Sequence, residues 1–560
     1  MLDASCMGLP AVELRQRGAV RKGANLPDDI LFVIFKHAGR RARYTPDRWK
    51  RSLPLLAVCR DWRRAARPLV YRHLCIVCGD SGTLRQRPDP DGPASEPTDT
   101  PLATNLTLAA ELGLLGLVRH MELTLNYVQD PFPCLGRVAA MLGASGRRWP
   151  AVRKLRVQLE CSPYVRYQDP GDIARYAAEI ADAAGMLSRL MPGLTVLESR
   201  GIDNNHVASA LFGSLGGIYA GQATQIVSSN PLAVDDVHTF SRLTRLDIDM
   251  CGSTAYLLPK VSPLPLVSLR LCRVPHSYDW ANFAAEDPAR AVVFANLRAL
   301  RLSYQHSPQR NEPVSPDANR RAIHGRLEFP RLTSLNITNY LGRSPILDCS
   351  VFPRRLVEVL LSCSVEEADA LGSARVPAAG SFMMTLDYHP REAYIDAFAA
   401  VNRIATRAGG RIETHLLIMA DLSYYSPSST SSPYVTKLTV LTPLNVRALL
   451  AMLERLPNLA SLSATRVMCG QIPNVATDID SASAPPLSRS VQELTLRSYV
   501  AELDISRLTT LVMYLLPRLP ELRVLHTTHV MDASIKQFVS AFAKHYPHLA
   551  TVGLDLKHRH

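Results

Sequence analysis

The chain has 560 residues, of which 47% are hydrophobic and 20% charged, and its formal net charge is +13. This composition is ordinary for a globular protein with a sizeable apolar core. No stretch of about 20 residues is free of charges and breaks, so we expect no membrane span. The 11 cysteines are sparse and no secretory signal opens the chain. We therefore expect reduced thiols and a cytoplasmic or nuclear location.

The positive charge is concentrated near the N-terminus. Residues 1–80 contain 16 Lys+Arg and 7 Asp+Glu, a net charge of +9. Such a concentration is compatible with an acidic partner, which could be a protein surface, nucleic acid or an anionic membrane. It is equally compatible with a solvated basic helical face.

Three segments precede the repetitive part of the chain. Residues 1–24 show no sustained period, which predicts a flexible tail. In residues 25–78 apolar side chains recur at helical spacing, and Asn25 or Asp28 can cap the first helix, so we predict a small all-α module. Residues 79–104 are rich in Pro, Asp, Ser and Gly. This composition cannot bury enough apolar surface to order a chain, which predicts a disordered linker.

Residues 105–560 carry an internal repeat. Each unit reads apolar residue, often Pro, any residue, apolar residue, two spacers, apolar residue. The clearest units begin at Trp149, Met191, Phe240, Phe294, Phe329, Leu456, Leu519 and Tyr546. The end of the pattern alternates, which predicts a short strand with one apolar face. The region around 360–434 shows no clear unit.

Helical patterns lie between the predicted strands. One of them runs from Asn445 to Leu456, with Thr442 at the position of an N-cap and Pro443 in the first turn. One strand and one helix in each step of about 25–35 residues is typical of a leucine-rich solenoid.

The repetitive part resembles the leucine-rich repeat family. Leu243-x-x-Leu246-x-Ile248-x-x-Cys251 comes nearest to the full family pattern. The resemblance implies an irregular solenoid with parallel strands on its concave side and helices outside. The predicted fold class is thus α/β, with a small all-α module, a flexible linker and an irregular leucine-rich repeat solenoid. The alternative is a non-repeating α/β domain with leucine-rich strands.

The N-terminal module resembles the F-box. The resemblance lies in the order Leu-Pro, apolar helix, then Val-Cys-x-x-Trp-Arg, with about ten extra residues between Phe35 and Leu53. It implies binding to the Skp-type adaptor, and through it to a cullin, while the repeats hold a protein substrate for ubiquitination. The residues that match the motif, and are expected to bind the adaptor, are Leu26, Pro27, Ile30, Leu31, Ile34, Val58, Cys59 and Trp62. An unrelated helical hairpin is the alternative.

Strand alternation also predicts where a substrate binds. Leu246 and Ile248 should point into the core, so the residues that alternate with them along the strand should face solvent. The predicted substrate-binding residues of the concave face are Arg245, Asp247, Asp249, Arg270, Arg301 and Asn336. This surface mixes charge signs and holds few aromatic residues, which favours a patterned protein over a uniform polyanion. Polar residues are also the default at exposed strand positions.

The sequence offers no catalytic motif. Phosphate-binding loops, dinucleotide fingerprints, metalloprotease and nucleophile-elbow motifs are missing. Cys75-x-x-Cys78 has no second pair at zinc-finger spacing and is interpreted as core cysteines. We expect a non-catalytic protein with no cofactor, metal, nucleic acid or membrane span. The competing hypothesis is a leucine-rich repeat scaffold whose basic N-terminal module binds nucleic acid or a membrane surface.

Overall fold

In a computed structural model of the chain, two compact units form, unit 1 from Met1–Arg166 with Gly185–Leu194 and unit 2 from Tyr167–Ala184 with Thr195–His560. The residues that the structure describes are 60, 72–78, 102–104, 113–127, 142, 148–161, 177–201, 206–229, 239–250, 257–274, 292–304, 327–340, 352–353, 355–364, 368, 378–388, 397–408, 411–418, 430–468, 486–496, 511–512 and 514–527. The predicted tail, most of the predicted all-α module and most of the predicted linker lie outside these residues.

Unit 1 contains four described strands and a short 3-10 helix. The strands are β1 (His73–Cys78), β2 (Leu102–Thr104), β3 (His120–Tyr127) and β4 (Lys154–Cys161), and the 3-10 helix is Leu115–Leu117. β1 pairs antiparallel with β2 and parallel with β3, which pairs parallel with β4. The last residues of the predicted helical module, 73–78, form a strand, because Leu74 and Ile76 are buried at alternate positions. Residues 102–104, at the end of the predicted linker, pair with this strand.

Unit 2 contains a large parallel sheet. Its described strands are β5 (Val196–Gly201), β6 (Gln225–Ser228), β7 (Arg245–Asp249), β8 (Ser268–Val274), β9 (Val292–Val293), β10 (Ala299–Tyr304), β11 (Leu327–Glu328), β12 (Ser334–Tyr340), β13 (Arg355–Ser364), β14 (Ala378–Tyr388), β15 (Arg411–Ile418), β16 (Val435–Asn445), β17 (Ser461–Met468), β18 (Glu493–Leu496) and β19 (Val524–Thr527). Apart from β9 and β11, which pair with each other, each strand pairs parallel with the next along the chain. The fold is thus α/β with a large parallel sheet, and this strand order is compatible with a solenoid.

Helices are few. Those described are α1 (Ala177–Leu190), α2 (His206–Ile218), α3 (Leu257–Val261), α4 (Ala397–Ala408), α5 (Val446–Arg455) and a 3-10 helix at Leu516–Arg518. Within unit 2, α2, α4 and α5 contact β5, β14 and β16, respectively. The predicted helix at Asn445–Leu456 is present as α5, but its predicted cap is wrong. Asn445 is the N-cap, since its Oδ1 accepts a hydrogen bond from the Ala448 N–H at 2.7 Å, whereas Thr442 and Pro443 belong to β16.

The recurring sequence pattern, with or without its proline, forms the same turn before seven of the described strands. In the unit at Leu456, the Leu459 N–H donates to the Leu456 carbonyl at 3.1 Å. Pro457 occupies the second position of this turn, where its fixed φ fits and no N–H is needed. The same bond is made by the N–H groups of Val152, Leu194, Leu243, Leu297, Leu332 and Leu522 to the carbonyls of Trp149, Met191, Phe240, Phe294, Phe329 and Leu519.

A second repeated contact sets the register between neighbouring strands. The Arg298 carbonyl accepts from the N–H groups of both Thr333 and Ser334 at 2.9 Å, just before β12 begins. Equivalent paired bonds lead into β6, β7, β8, β10, β18 and β19 of unit 2, and another pair is made within β13 by Val357 and Glu358. Because a slip of one residue would exchange the two faces of a strand, this anchoring keeps the apolar residues on one side of the sheet.

The core lies on the leucine-bearing face of the sheet. Leu246, Leu269, Leu300, Leu335 and Val359 stand beside one another on β7, β8, β10, β12 and β13 and are all buried. The turns before the strands add an aromatic stack, in which the ring centroids of Phe294 and Phe329 are 5.3 Å apart and those of Phe329 and Phe352 are 5.9 Å apart. Each sequence repeat therefore buries its apolar face against the neighbouring repeats, as stacked repeats require.

The region without a clear sequence unit nevertheless continues the sheet. β14 pairs with β13 along its length, and Phe382 and Met384 lie in register with Val359 and Leu361. All four side chains are buried. On β14 the apolar spacing is therefore kept in part by side chains other than leucine, namely Phe382 and Met384.

Candidate binding face

The residues predicted to bind an adaptor lie outside the described part of the chain. They are Leu26, Pro27, Ile30, Leu31, Ile34, Val58, Cys59 and Trp62. Their arrangement remains a prediction from the sequence.

The residues predicted to bind a substrate lie on the face of the unit 2 sheet opposite to the leucines. Asp247, Arg270, Arg301 and Asn336 occupy one register position on β7, β8, β10 and β12, and we name these four residues the polar row. Arg245 lies two residues before Asp247, beside Ser268. Adjacent strands are about 4.8 Å apart, so the polar row spans about 14 Å across the sheet.

The two acids of the predicted set are not exposed. Asp247 and Asp249 each retain only 6% of their accessible surface, whereas Arg245, Arg270 and Arg301 are exposed and Asn336 is half-buried. The prediction that both acids face solvent is therefore wrong. Alternation places them on the polar face, but long arginine side chains from the next strand cover them.

Each buried acid is paired with an arginine of β8. The Asp247 Oδ2 lies 3.4 Å from the Arg270 Nη1. The Asp249 Oδ2 accepts a hydrogen bond from the Arg273 Nε at 2.6 Å. Arg273 also donates through Nη2 to the Ser229 carbonyl at 3.1 Å. These contacts compensate the loss of hydration that a buried carboxylate otherwise suffers.

Arg273 takes part in this network because β8 contains a bulge. The register between β8 and β10 shifts after Leu302, and Arg273 has a φ of 50°. The left-handed region is costly for a long side chain, which indicates that the contacts of Arg273 hold it there. Sequence reasoning missed this residue. The signal was the break in alternation at Cys272-Arg273, where two polar positions follow each other before Val274.

Cys272 is the second site residue that sequence reasoning missed. Its thiol donates to Asp247 Oδ1 at 3.7 Å. Burial, and next the negative charge of Asp247, raise the pKa of the Cys272 thiol to about 11. A thiol held protonated at neutral pH is a poor nucleophile, so this cysteine is suited to packing rather than to covalent chemistry.

The polar row continues into apolar residues. Leu360 of β13 lies in register with Asn336, and Met383 of β14 lies in register with Leu360. Leu360 is half-buried, and Met383 is 38% exposed on this otherwise polar side of the sheet. A basic part of the face thus adjoins an apolar part.

The C-terminal strands carry a smaller polar cluster. Glu493 of β18 accepts from the Ser461 Oγ at 3.1 Å, and its Oε1 lies 3.8 Å from the His526 Nε2 on β19. Glu493 and His526 are accessible to solvent, whereas Thr495 is buried.

Unit 1 has its own polar cluster. The rings of His73 and His120, which are paired on β1 and β3, have centroids 4.5 Å apart, and the Arg156 Nη1 lies 3.3 Å from the Glu122 Oε1.

Within the described part of the chain, no group of three or more His, Cys, Asp or Glu side chains is arranged to hold a metal ion. No described helix is long and apolar enough to cross a membrane.

Comparisons with known proteins do not assign the chain to a family. No protein-family model matches it, and no curated protein matches it significantly.

Proposed function

We propose that this protein is the substrate-receptor subunit of a cullin–RING ubiquitin ligase. Its N-terminal F-box-like module binds the Skp-type adaptor, and its repeats bind the protein substrate. The observation that carries the proposal is the motif Leu26-Pro27, Ile30-Leu31, Ile34 and Val58-Cys59-x-x-Trp62, placed before a long run of repeated units. The subunit itself performs no catalysis in this proposal.

The described residues support the second half of the proposal. A parallel sheet whose strands follow the chain order buries one face and leaves the other for binding, as in extended repeat proteins. Arg245, Arg270 and Arg301 are exposed on that free face. The net charge of +9 in residues 1–80 supports the first half, because the adaptor of the F-box family is acidic.

The test is co-expression of the full chain with the Skp-type adaptor. We expect stoichiometric recovery of the adaptor, and its loss from the double variant Leu26→Ala/Ile30→Ala. Each truncation removes apolar area worth about 2 kcal/mol or more if fully buried in the contact. Leu9→Ala/Leu14→Ala, in the predicted tail, is the matched control and should retain the adaptor.

The competing function makes the opposite prediction. If the basic N-terminal module binds nucleic acid, the purified chain retains nucleic acid in a strongly salt-dependent manner and recovers no adaptor. An unchanged adaptor yield in Leu26→Ala/Ile30→Ala, with the circular dichroism spectrum preserved, also contradicts the proposed contact.

A further inference from the structure

On β7, β8 and β10 the exposed charge of the polar face has one sign. On β7, β8 and β10 the exposed charged residues of this face are Arg245, Arg270 and Arg301, while Asp247 and Asp249 are buried and paired. The next acid along the sheet, Glu358 of β13, interacts with the Ser334 Oγ at 3.3 Å. The part of the face formed by β7, β8 and β10 is therefore basic once the chain folds, although an exposed acid, Glu358, lies on β13.

Two of these arginines are direct neighbours. Arg270 and Arg301 occupy paired positions on β8 and β10, where like charges repel each other. Asp247 compensates Arg270. Among the described residues, neither Arg245 nor Arg301 lies within ion-pair distance of a carboxylate. An anionic group from a partner would relieve this repulsion and accept bidentate hydrogen bonds.

The apolar neighbours of the polar row specify the partner further. Leu360 lies two strands from Arg301 and Met383 three strands, or about 10 and 14 Å at the usual strand spacing. An extended chain advances about 3.3 Å per residue. A segment crossing the strands would therefore contact the apolar residues about three to five residues away from its contact with Arg301, in either chain direction.

We infer that this face binds an extended acidic segment of a partner protein, in which three to five residues separate a cluster of Asp or Glu from a large apolar side chain. The inference rests on the proposed function, since it names the chemistry of the substrate that the repeats hold. Nucleic acid fits less well, because it would use a longer basic track and offers no aliphatic side chain to Leu360 and Met383.

The experiment uses the full-length chain and fluorescein-labelled 12-residue peptides. Each peptide contains three glutamates and one leucine, placed one to eight residues after the last glutamate or before the first, with Gly and Ser elsewhere. Fluorescence anisotropy measures binding, and otherwise identical Gln peptides are the peptide controls. We expect the tightest binding at leucine offsets of three to five.

Two charge-reversal variants test the location of the site. Arg245→Glu/Arg301→Glu should weaken binding at least tenfold. Arg242→Glu/Arg298→Glu is the matched control, since both residues are exposed but precede β7 and β10, and it should change binding less than twofold. Met383→Gln should remove the preference for one leucine offset while retaining the requirement for glutamate.

Three results would overturn the inference. The first is that no Glu peptide binds better than its Gln counterpart. The second is that the two charge-reversal variants lose binding equally. The third is that a 12-nucleotide oligothymidylate binds more tightly than the peptides and depends on Arg245 and Arg301. Recovery of the adaptor is measured on the same preparations, so that a failed peptide experiment with intact adaptor binding rejects this inference alone.

Discussion

Two pairs of neighbouring strands in unit 2 place an acid beside a base in very different surroundings. On β7 and β8, Asp249 is buried and its carboxylate accepts from the Arg273 Nε at 2.6 Å. On β18 and β19, the Glu493 side chain is 48% exposed and lies 3.8 Å from the His526 ring. Both pairs sit on the polar side of the same kind of parallel ladder.

The difference shows that strand alternation sets the direction of a side chain but not its depth. β8 and β18 both have described partners on each side, but β8 carries a bulge, which brings Arg273 over Asp249. β18 and β19 pair along four residues each, and solvent reaches both side chains. Since water screens exposed charges, loss of one partner should be costly in the first pair and nearly neutral in the second.

The largest effect is expected for Asp249→Ala. The substitution leaves the Arg273 guanidinium, which is only a quarter exposed, without its carboxylate. We expect a loss of about 2–3 kcal/mol in the local stability of β7 and β8, somewhat below the range for a fully buried pair. Hydrogen-exchange mass spectrometry of peptides from these strands measures the opening free energy. A change below about 0.5 kcal/mol would show that the pair is not buried in solution.

The backbone of Arg273 gives a second, smaller prediction. Arg273→Gly and Arg273→Ala both remove the ion pair, but only glycine adopts a φ of 50° without steric cost. We expect the glycine variant to be more stable than the alanine variant by about 1 kcal/mol. Asn339, which also has a positive φ at the bulge of β12, is the control position. Equal stability of the Gly and Ala variants at position 273 would contradict the strained conformation.

The contrast also explains which parts of the fold the sequence predicts. The units with leucine at the core positions, such as those ending in β10 and β12, were located correctly, and their core residues are buried. β14 was missed because Ala379, Phe382 and Met384 keep the apolar spacing without the proline and leucines that mark other units. The physical requirement is apolar burial at fixed spacing, which several side chains satisfy.

The candidate binding face was predicted only in part. Alternation identified Asp247, Arg270, Arg301 and Asn336, which the structure places in one row. It could not predict that the acids are buried, because burial depends on side chains from the neighbouring strands. Arg273 was missed for a related reason, since a bulge changes the face on which the following residues lie.

Cys272 provides a prediction of intermediate size that concerns chemistry rather than stability. Burial and the charge of Asp247 raise the pKa of its thiol from 9.0 to about 11. At pH 9 a thiol of this pKa is about fiftyfold less ionised than one at the unperturbed value, so alkylation should be slower by about that factor. Iodoacetamide labelling followed by mass spectrometry, in native and urea-unfolded protein, measures the ratio.

The same shift has a consequence for stability. The folded state keeps the Cys272 proton between pH 9 and pH 11, whereas the unfolded state loses it, so this contribution to stability declines as the pH rises through that window.

Asp247→Asn removes the charge that disfavours the thiolate and should accelerate labelling of the folded protein. Slower labelling in that variant would mean that Asp247 does not raise the pKa.

The smallest effect is expected for Glu493→Ala. Two charges about 4 Å apart interact by only about 1 kcal/mol in water, and His526 contributes a charge only when it is protonated. The lost hydrogen bond from Ser461 is exposed, so water replaces the carboxylate as its acceptor. We expect a change within about 0.5 kcal/mol in the opening free energy of β18 and β19, measured by the same hydrogen-exchange experiment as for Asp249→Ala. If the two alanine variants destabilised their strands equally, burial could not be the property that separates these two ion pairs, and the strength of the β7–β8 network would require another cause.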